Sequence, residues 1–275
     1  MGKVVSTPVL CFDFDGTLVD SQGRIHPRDV ALLRENDRAH FVPATGRPLH
    51  AVRHAFERSG LSCDPVIPFS LVLQNGAVVY LPGEELFALT PFLEDEIEPL
   101  LEICRRHPRV SSVLFGPQGL ELMWPNAEAQ KMIHRFDLDV QPFTAAGQAY
   151  TKITFVSDSA AAIDAVAQEI APYSVEAYFS LPTVFEITRA GVDKGRMLDH
   201  LLAELGLQEA RLAAAGDGQN DLPLFASADL TFCPHDAPAP VKALADIEVD
   251  VAADGSLSPM LDAVGTGGVG LGFAV

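Results

Sequence analysis

Asp13 and Asp15 stand two residues apart where the apolar run Pro8 to Phe14 breaks into Gly16-Thr17. A short apolar run closed by a turn signal reads as a buried strand. Residues i and i+2 of a strand point to the same face, so both acids project together from its end. Two carboxylates there are costly unless a cation joins them. A hard divalent metal, with chemistry on an oxyanion, resolves that cost.

Other residues complete such a chemistry. Thr45 follows the run Phe41 to Ala44, Lys194 opens a helical stretch, and Asp217 and Asp221 lie in a glycine-bearing loop after Arg211 to Ala215. An aspartate can take a phosphoryl group covalently, which makes Asp13 the candidate nucleophile. Asp15 can protonate the leaving oxygen and then activate water. Asp13, Asp217 and the Asp15 backbone carbonyl suit the octahedral oxygen shell of magnesium. Lys194 and the Thr45 hydroxyl suit the transferring oxygens, where charge stabilisation dominates catalysis. Gly16 and Gly218 allow close backbone approach to an anion. Singly, each has a plainer reading: a solvated turn, a helix cap or a surface lysine. Their joint order and placement carry the argument.

The elements that must hold these residues alternate. Strand Pro8–Phe14 precedes an amphipathic stretch from Pro27 to Arg38, and Phe41–Ala44 precedes a helix begun near Pro48. Leu71 to Tyr80 reads as a hairpin about Asn75-Gly76. Such alternation implies a parallel sheet covered by helices, with ligands beyond the carboxyl ends of its strands. From Pro82 the rhythm changes. A helix over Phe92–His107 precedes strands at Val110–Phe115 and Leu120–Trp124. A βαβ-like set then runs from Tyr150 to Thr188, so 83–188 reads as an α/β module inserted into a core of 1–82 and 189–275. After Gly191 come a helix over Asp193–Leu205, the strand Arg211–Ala215, a strand over Asp229–Phe232 and a helix near Pro240.

The chain has 275 residues, a formal net charge of −18 and 48% hydrophobic residues. It is expected to be globular, and its charge argues against nucleic acid as partner. An anionic substrate must then be drawn by local positive groups. Cys11, Cys63, Cys104 and Cys233 form no CxxC pair, which fits free thiols in a reducing, cytoplasmic setting. No apolar run reaches membrane-spanning length, and no signal-peptide pattern opens the chain. Met1–Ser6 matches a short myristoylation pattern but reads better as a lead into the first strand. Gly265 to Gly270 fits G-x-G-x-x-G without a helix to follow, so no dinucleotide site is expected.

The motifs Asp13-Phe14-Asp15-Gly16-Thr17, Thr45-Gly46-Arg47, Lys194 and Gly216-Asp217-Gly218-Gln219-Asn220-Asp221 resemble those of the haloacid dehalogenase-like superfamily. With the inserted module, Asn75-Gly76-Ala77 and Asp193-Lys194-Gly195, the chain is similar to Cof-like phosphatases with a type IIB cap. The resemblance implies a Rossmann-like parallel-sheet core, an inserted α/β cap domain and a Mg2+ cofactor. It further implies Asp13 as nucleophile and Asp15 as acid/base. Asp13, Asp15 and Asp217 would bind the metal with Asp221 in support, while Thr45, Gly46, Lys194 and Asn220 would contact phosphate. Arg47, His50, Asn75, Glu186 and Arg189 lie at junctions that could read the substrate, although Glu186 and Arg189 could equally form a strand-end ion pair.

The implied activity is hydrolysis of a small phosphorylated metabolite, foremost a sugar phosphate, through an aspartyl phosphate. A phosphomutase or a non-catalytic metabolite-binding regulator are the alternatives. The segment Phe232-Cys233-Pro234-His235-Asp236 departs from the small glycine-containing turn of many such proteins, and His235 is expected to be a surface histidine.

Overall fold

The computed structural model describes residues 7–20, 22–35, 37–144 and 148–265. The N-terminal acylation pattern and the tail after Gly265 lie outside the described residues. The chain opens with β1 (Val9–Phe12), α1 (Pro27–Glu35), β2 (His40–Pro43) and α2 (Leu49–Arg58). An antiparallel unit follows, made of β3 (Leu71–Leu73), β4 (Val78–Leu81) and β5 (Glu85–Leu89). Next come α3 (Glu94–Arg106), β6 (Ser111–Gly116), β7 (Gly119–Met123), α4 (Ala127–Arg135) and β8 (Val140–Pro142). They lead to β9 (Lys152–Val156), α5 (Ala160–Ile170), β10 (Val175–Leu181) and β11 (Val184–Arg189). The last part holds α6 (Lys194–Glu204), β12 (Leu212–Ala215), α7 (Leu222–Ser227), β13 (Leu230–Pro234) and α8 (Ala239–Lys242). It closes with β14 (Ile247–Val249), α9 (Val251–Asp254) and α10 (Leu257–Gly265).

β1 lies between β12 and β2 in a five-stranded sheet of order β14-β13-β12-β1-β2, parallel throughout. β1 and β12 are apolar and buried end to end, as burial on both faces requires, while the edge strands β2 and β14 carry exposed His40 and Glu248. Leu10 and Phe12 face one apolar layer, which α1, α2 and α10 cover, while Val9 and Cys11 face the other, covered by α6 and α7. Asp29, fully buried on α1, accepts from the backbone N–H groups of Ser256 and Leu257 and so caps the start of α10. All four cysteines are free and buried, and burial pushes their thiols up.

The second large sheet has the order β10-β11-β9-β6-β7-β8 and is mostly antiparallel, with β7 and β8 parallel. The βαβ reading of Tyr150 to Thr188 is thereby refined. β9 and β10 are parallel and joined by α5, but β11 lies between them. One face of this sheet, with Leu114, Ile153, Phe155, Phe185 and Ile187, packs on α3 and α5 in an apolar layer. The other face carries Phe115, Lys152, Thr154, Glu186 and Thr188 and meets the Thr45 and Asn75 turns of the core.

The hairpin about Asn75 forms, with a wider turn than Asn-Gly alone suggests. Gln74 and Asn75 both take positive φ, 52° and 57°, and Leu73 pairs with Val78. β5 then pairs with β4, so this small sheet continues past residue 82 to Leu89. α4 and β8 lie between the expected elements and were not assigned from the sequence; Asn126 caps α4 by accepting from the Ala129 N–H at 2.8 Å. His235 is exposed, at the end of β13.

Candidate active site

Three loops meet at the carboxyl end of the parallel sheet. Asp13 follows β1 directly, and its N–H donates to the Ala215 carbonyl, extending the β1–β12 ladder by one residue. Lys194 is the first residue of α6, which Asp193 caps by accepting from the Arg196 N–H. A helix N-terminus repels a cation, so something stronger must hold this one. Its ammonium donates to Asp13 Oδ1 at 2.6 Å and to Asp221 Oδ1 at 2.6 Å, and the lysine is completely buried. Burial works against the charge, but Asp13 and Asp221 outweigh it and hold the ammonium above its ordinary range.

Asp221 is equally buried, and its other oxygen accepts from the N–H groups of Asp217 (3.1 Å) and Gly218 (2.9 Å). Its carboxylate therefore shapes the loop and anchors Lys194. Ligand atoms of Asp13, Asp217 and Asp221 lie within 4.8 Å of one another. Three carboxylates face one lysine there, leaving negative charge in excess. Burial raises Asp13 well above the carboxylate range, and Lys194 only partly offsets the neighbouring acids. Burial, reinforced by Asp221, lifts Asp217 to about 7 despite Lys194. Such an all-oxygen donor set could hold a hard divalent ion.

Gly16 is required on two counts. Its φ is +82°, and a Cβ there would stand 2.2 Å from Asp217 Oδ2. Gly16→Ala is expected to displace the Asp217 carboxylate and lower kcat/KM by roughly 100-fold, the scale of a 1 Å misplacement. Steady-state kinetics beside a melting curve check it: wild-type kinetics in the folded variant would show that Asp217 need not sit where it does.

Asp15 turns its carboxylate away from this cluster. Arg47 holds both oxygens, Nε to Oδ2 at 2.8 Å and a terminal nitrogen to Oδ1 at 2.5 Å. The guanidinium lies between the rings of Phe14 and Phe136, 5.1 and 4.9 Å from their centroids. Arg47 thus joins the core to the end of α4. Thr45 is buried and its hydroxyl accepts from the Arg47 N–H.

The remaining candidates separate. Asn220 donates to Asn75 Oδ1 at 3.1 Å, and Asn75 donates to Glu186 Oε2 at 2.9 Å. Glu186 pairs with Lys152 at 2.7 Å, not with Arg189, so the strand-end ion pair is not formed. Burial opposes its charge, yet Lys152 and the donors around it bring Glu186 down to about 2. Arg189 instead meets Glu96 of α3 at 2.9 Å and does not join the cluster. His50 accepts from the Asp139 N–H at 3.4 Å, which ties α2 to the segment after α4. Lys152, almost wholly buried and bonded to the Gly46 carbonyl, was not singled out from the sequence. The signal was its alternation with Ile153 and Phe155. A groove of about 580 Å³ lined by Asp199, Arg211 and Asp229 lies at the opposite end of β12, away from these groups.

Residues 10–261 match the family model of the haloacid dehalogenase-like hydrolases. A phosphoglycolate phosphatase of Halorubrum lacusprofundi is 27% identical over 261 residues, covering 93% of this chain and 96% of that protein. An HMP-PP phosphatase of Serratia proteamaculans is 25% identical, covering 78% of this chain and 79% of its own length. Among solved structures, a haloacid dehalogenase subclass IIB sugar phosphatase superposes with a TM-score of 0.78 at 23% identity, over 94% of this chain and 99% of that one. A haloacid dehalogenase-like hydrolase of Bacteroides thetaiotaomicron gives 0.77 at 22% identity, over 94% and 100%.

Proposed function

We propose, since this chain belongs to the haloacid dehalogenase-like hydrolases, that it is a magnesium-dependent phosphatase working through phosphorylated Asp13. The observation that carries the reading is the buried Asp13–Lys194–Asp221 triad with Asp217 beside it. Asp13 attacks phosphorus while Lys194, touching its Oδ1, aligns the other oxygen and offsets charge on the phosphoryl group. Thr45 and Asn220, on the flanking loops, hold phosphoryl oxygens. Asp15 donates a proton to the leaving oxygen and later takes one from water, which requires its carboxylate to leave Arg47 at least in part. Asp13, Asp217 and the Asp15 carbonyl would hold magnesium, with Asp221 bracing the loop. Bound there, the ion neutralises phosphoryl charge as the transition state forms.

The module that follows β5, up to residue 188, serves as the cap, excluding water and reading the leaving group. A sugar phosphate is the substrate class this site favours. Lys194, Lys152 and Arg47 are each paired to a carboxylate already. Lys194 and Lys152 stay held by buried carboxylates, which leaves only Arg47, once Asp15 moves, as counter-charge for a leaving group with its own carboxylate, whereas hydroxyls need none. The test is a screen of phosphomonoesters with magnesium, ranked by kcat/KM, following released inorganic phosphate. Sugar phosphates are expected at the top, and phosphate retained in an isomeric product would replace hydrolysis with a mutase reaction. Excess chelator should abolish turnover, and magnesium should restore it. Full activity in chelator would reject the metal assignment.

A further inference from the structure

The Lys152–Glu186 pair has chemistry that phosphatase action does not by itself require. Both residues lie on the core-facing side of the cap sheet, at diagonal positions of β9 and β11, since Thr154 is opposite Glu186 and Thr188 opposite Lys152. Glu186 Oε1 accepts from Lys152 (2.7 Å) and Thr154 (3.0 Å), and Oε2 from Asn75 (2.9 Å) and Ser180 (3.2 Å). A carboxylate has about four such sites, so Glu186 has none to offer a ligand. Lys152 donates to Glu186 and to the Gly46 carbonyl at 2.8 Å, and its ammonium sits 4.3 Å from the Phe115 ring centroid. It too is saturated. Asn75 is used at both ends, toward Glu186 and from Asn220.

A buried ion pair seldom adds stability over an apolar pair of the same volume. Its worth here lies in what it touches. A Cβ on Gly46 would meet Asn75 Oδ1 at 3.1 Å, Lys152 Nζ at 3.3 Å and Glu186 Oε2 at 3.6 Å. The bare backbone of the Thr45 turn is therefore packed into this network.

We propose that Lys152 and Glu186 are positioning residues for phosphate binding: a latch on the cap that, when seated, fixes the Gly46 carbonyl directly and Asn220 through Asn75. The inference rests on the phosphatase reading and adds that phosphate contacts are complete only with the cap closed. It also moves Glu186 and Asn75 from reading the leaving group to holding the groups that bind phosphate. A latch of this kind acts alike on every substrate, because all share the phosphoryl group.

The test uses the full chain with magnesium, inorganic phosphate as the binding probe, and two esters with unlike leaving groups, p-nitrophenyl phosphate and glucose 6-phosphate. The double variant Lys152→Met with Glu186→Gln removes both charges together, so its melting temperature should stay near wild type. Its kcat/KM should fall by a common factor for both esters, roughly 10- to 100-fold, and its Kd for phosphate should rise at least about tenfold in parallel. Asn75→Gly, which suits the positive φ there and leaves the ion pair intact, should weaken phosphate binding in the same way. Wild-type phosphate affinity in these folded variants would overturn the latch. So would a loss confined to one ester, which would return the pair to direct leaving-group contact. A wild-type protein that binds no phosphate and cleaves neither ester would remove the phosphatase reading, and the latch with it.

Discussion

Asp13→Asn is expected to lower kcat by at least about 10⁴-fold while leaving the protein folded and no less stable. The size follows from removing a nucleophile, which leaves only binding and charge stabilisation to act on the substrate. The stability follows from the site. Burial holds the Asp13 carboxyl well above its ordinary value, with Asp221, Asp217 and Asp15 adding to the effect and Lys194 only partly opposing it. An isosteric amide removes a charge the fold disfavours, and Lys194 keeps Asp221 as partner. Such a gain at the expense of function is the usual signature of an active-site acid. Turnover and a melting curve on the same preparation check both halves. Activity near wild type in the folded variant would sink the covalent mechanism.

Lys194→Met is expected to be the most damaging single change to stability. It strips two buried carboxylates of their shared cation, and breaking such a pair costs about 3–5 kcal/mol. The pH dependence has a definite sign. Without Lys194, nothing offsets the burial that already raises Asp13, so Asp13 binds its proton still more tightly folded than unfolded and the variant loses stability as pH rises above the unfolded carboxylate range. Its deficit relative to wild type should be smallest near pH 4 to 5 and full once the raised folded value of Asp13 is passed. Activity should fall with it, because the same ammonium orients Asp13. Denaturant melts across that range measure the effect, and a deficit that is small or independent of pH would mean that Lys194 does not neutralise these acids.

Much of the site was legible because its parts are local. An apolar run that ends in Asp-x-Asp-Gly places Asp13 at the strand end, whereas Asp15 falls in the turn beyond β1 and its carboxylate goes to Arg47, against the expectation that both acids project together. The parallel core followed from the same alternation, and β1 sits where ligand-bearing strands must. What escaped depends on register. Lys152 and Glu186 are ordinary members of polar-apolar alternations, and only the pairing of β9 with β11 makes them neighbours. Arg189 was misplaced for a reason the sequence did contain. Residues three apart on a strand point to opposite faces, so Glu186 and Arg189 could not pair, and Arg189 falls on the side of α3, where it meets Glu96. The clasp of Asp15 by Arg47 lay beyond reach as well, since it needs Phe136 from the inserted module to complete its aromatic enclosure.

The central claim is that Asp13 carries the phosphoryl group. Asp15→Asn can neither protonate a poor leaving group nor activate the water that discharges the adduct, so with p-nitrophenyl phosphate, whose leaving group needs no proton, the adduct should accumulate in that variant. Rapid acid quench of Asp15→Asn with magnesium and p-nitrophenyl phosphate, followed by borohydride reduction and peptide mass spectrometry, reads the phosphorylated position. A reduced side chain at position 13, in an amount that rises with substrate and vanishes in Asp13→Asn, is the result this account predicts. Turnover by the wild-type enzyme with no modification at position 13 under any quench, or with modification at another residue, would contradict it.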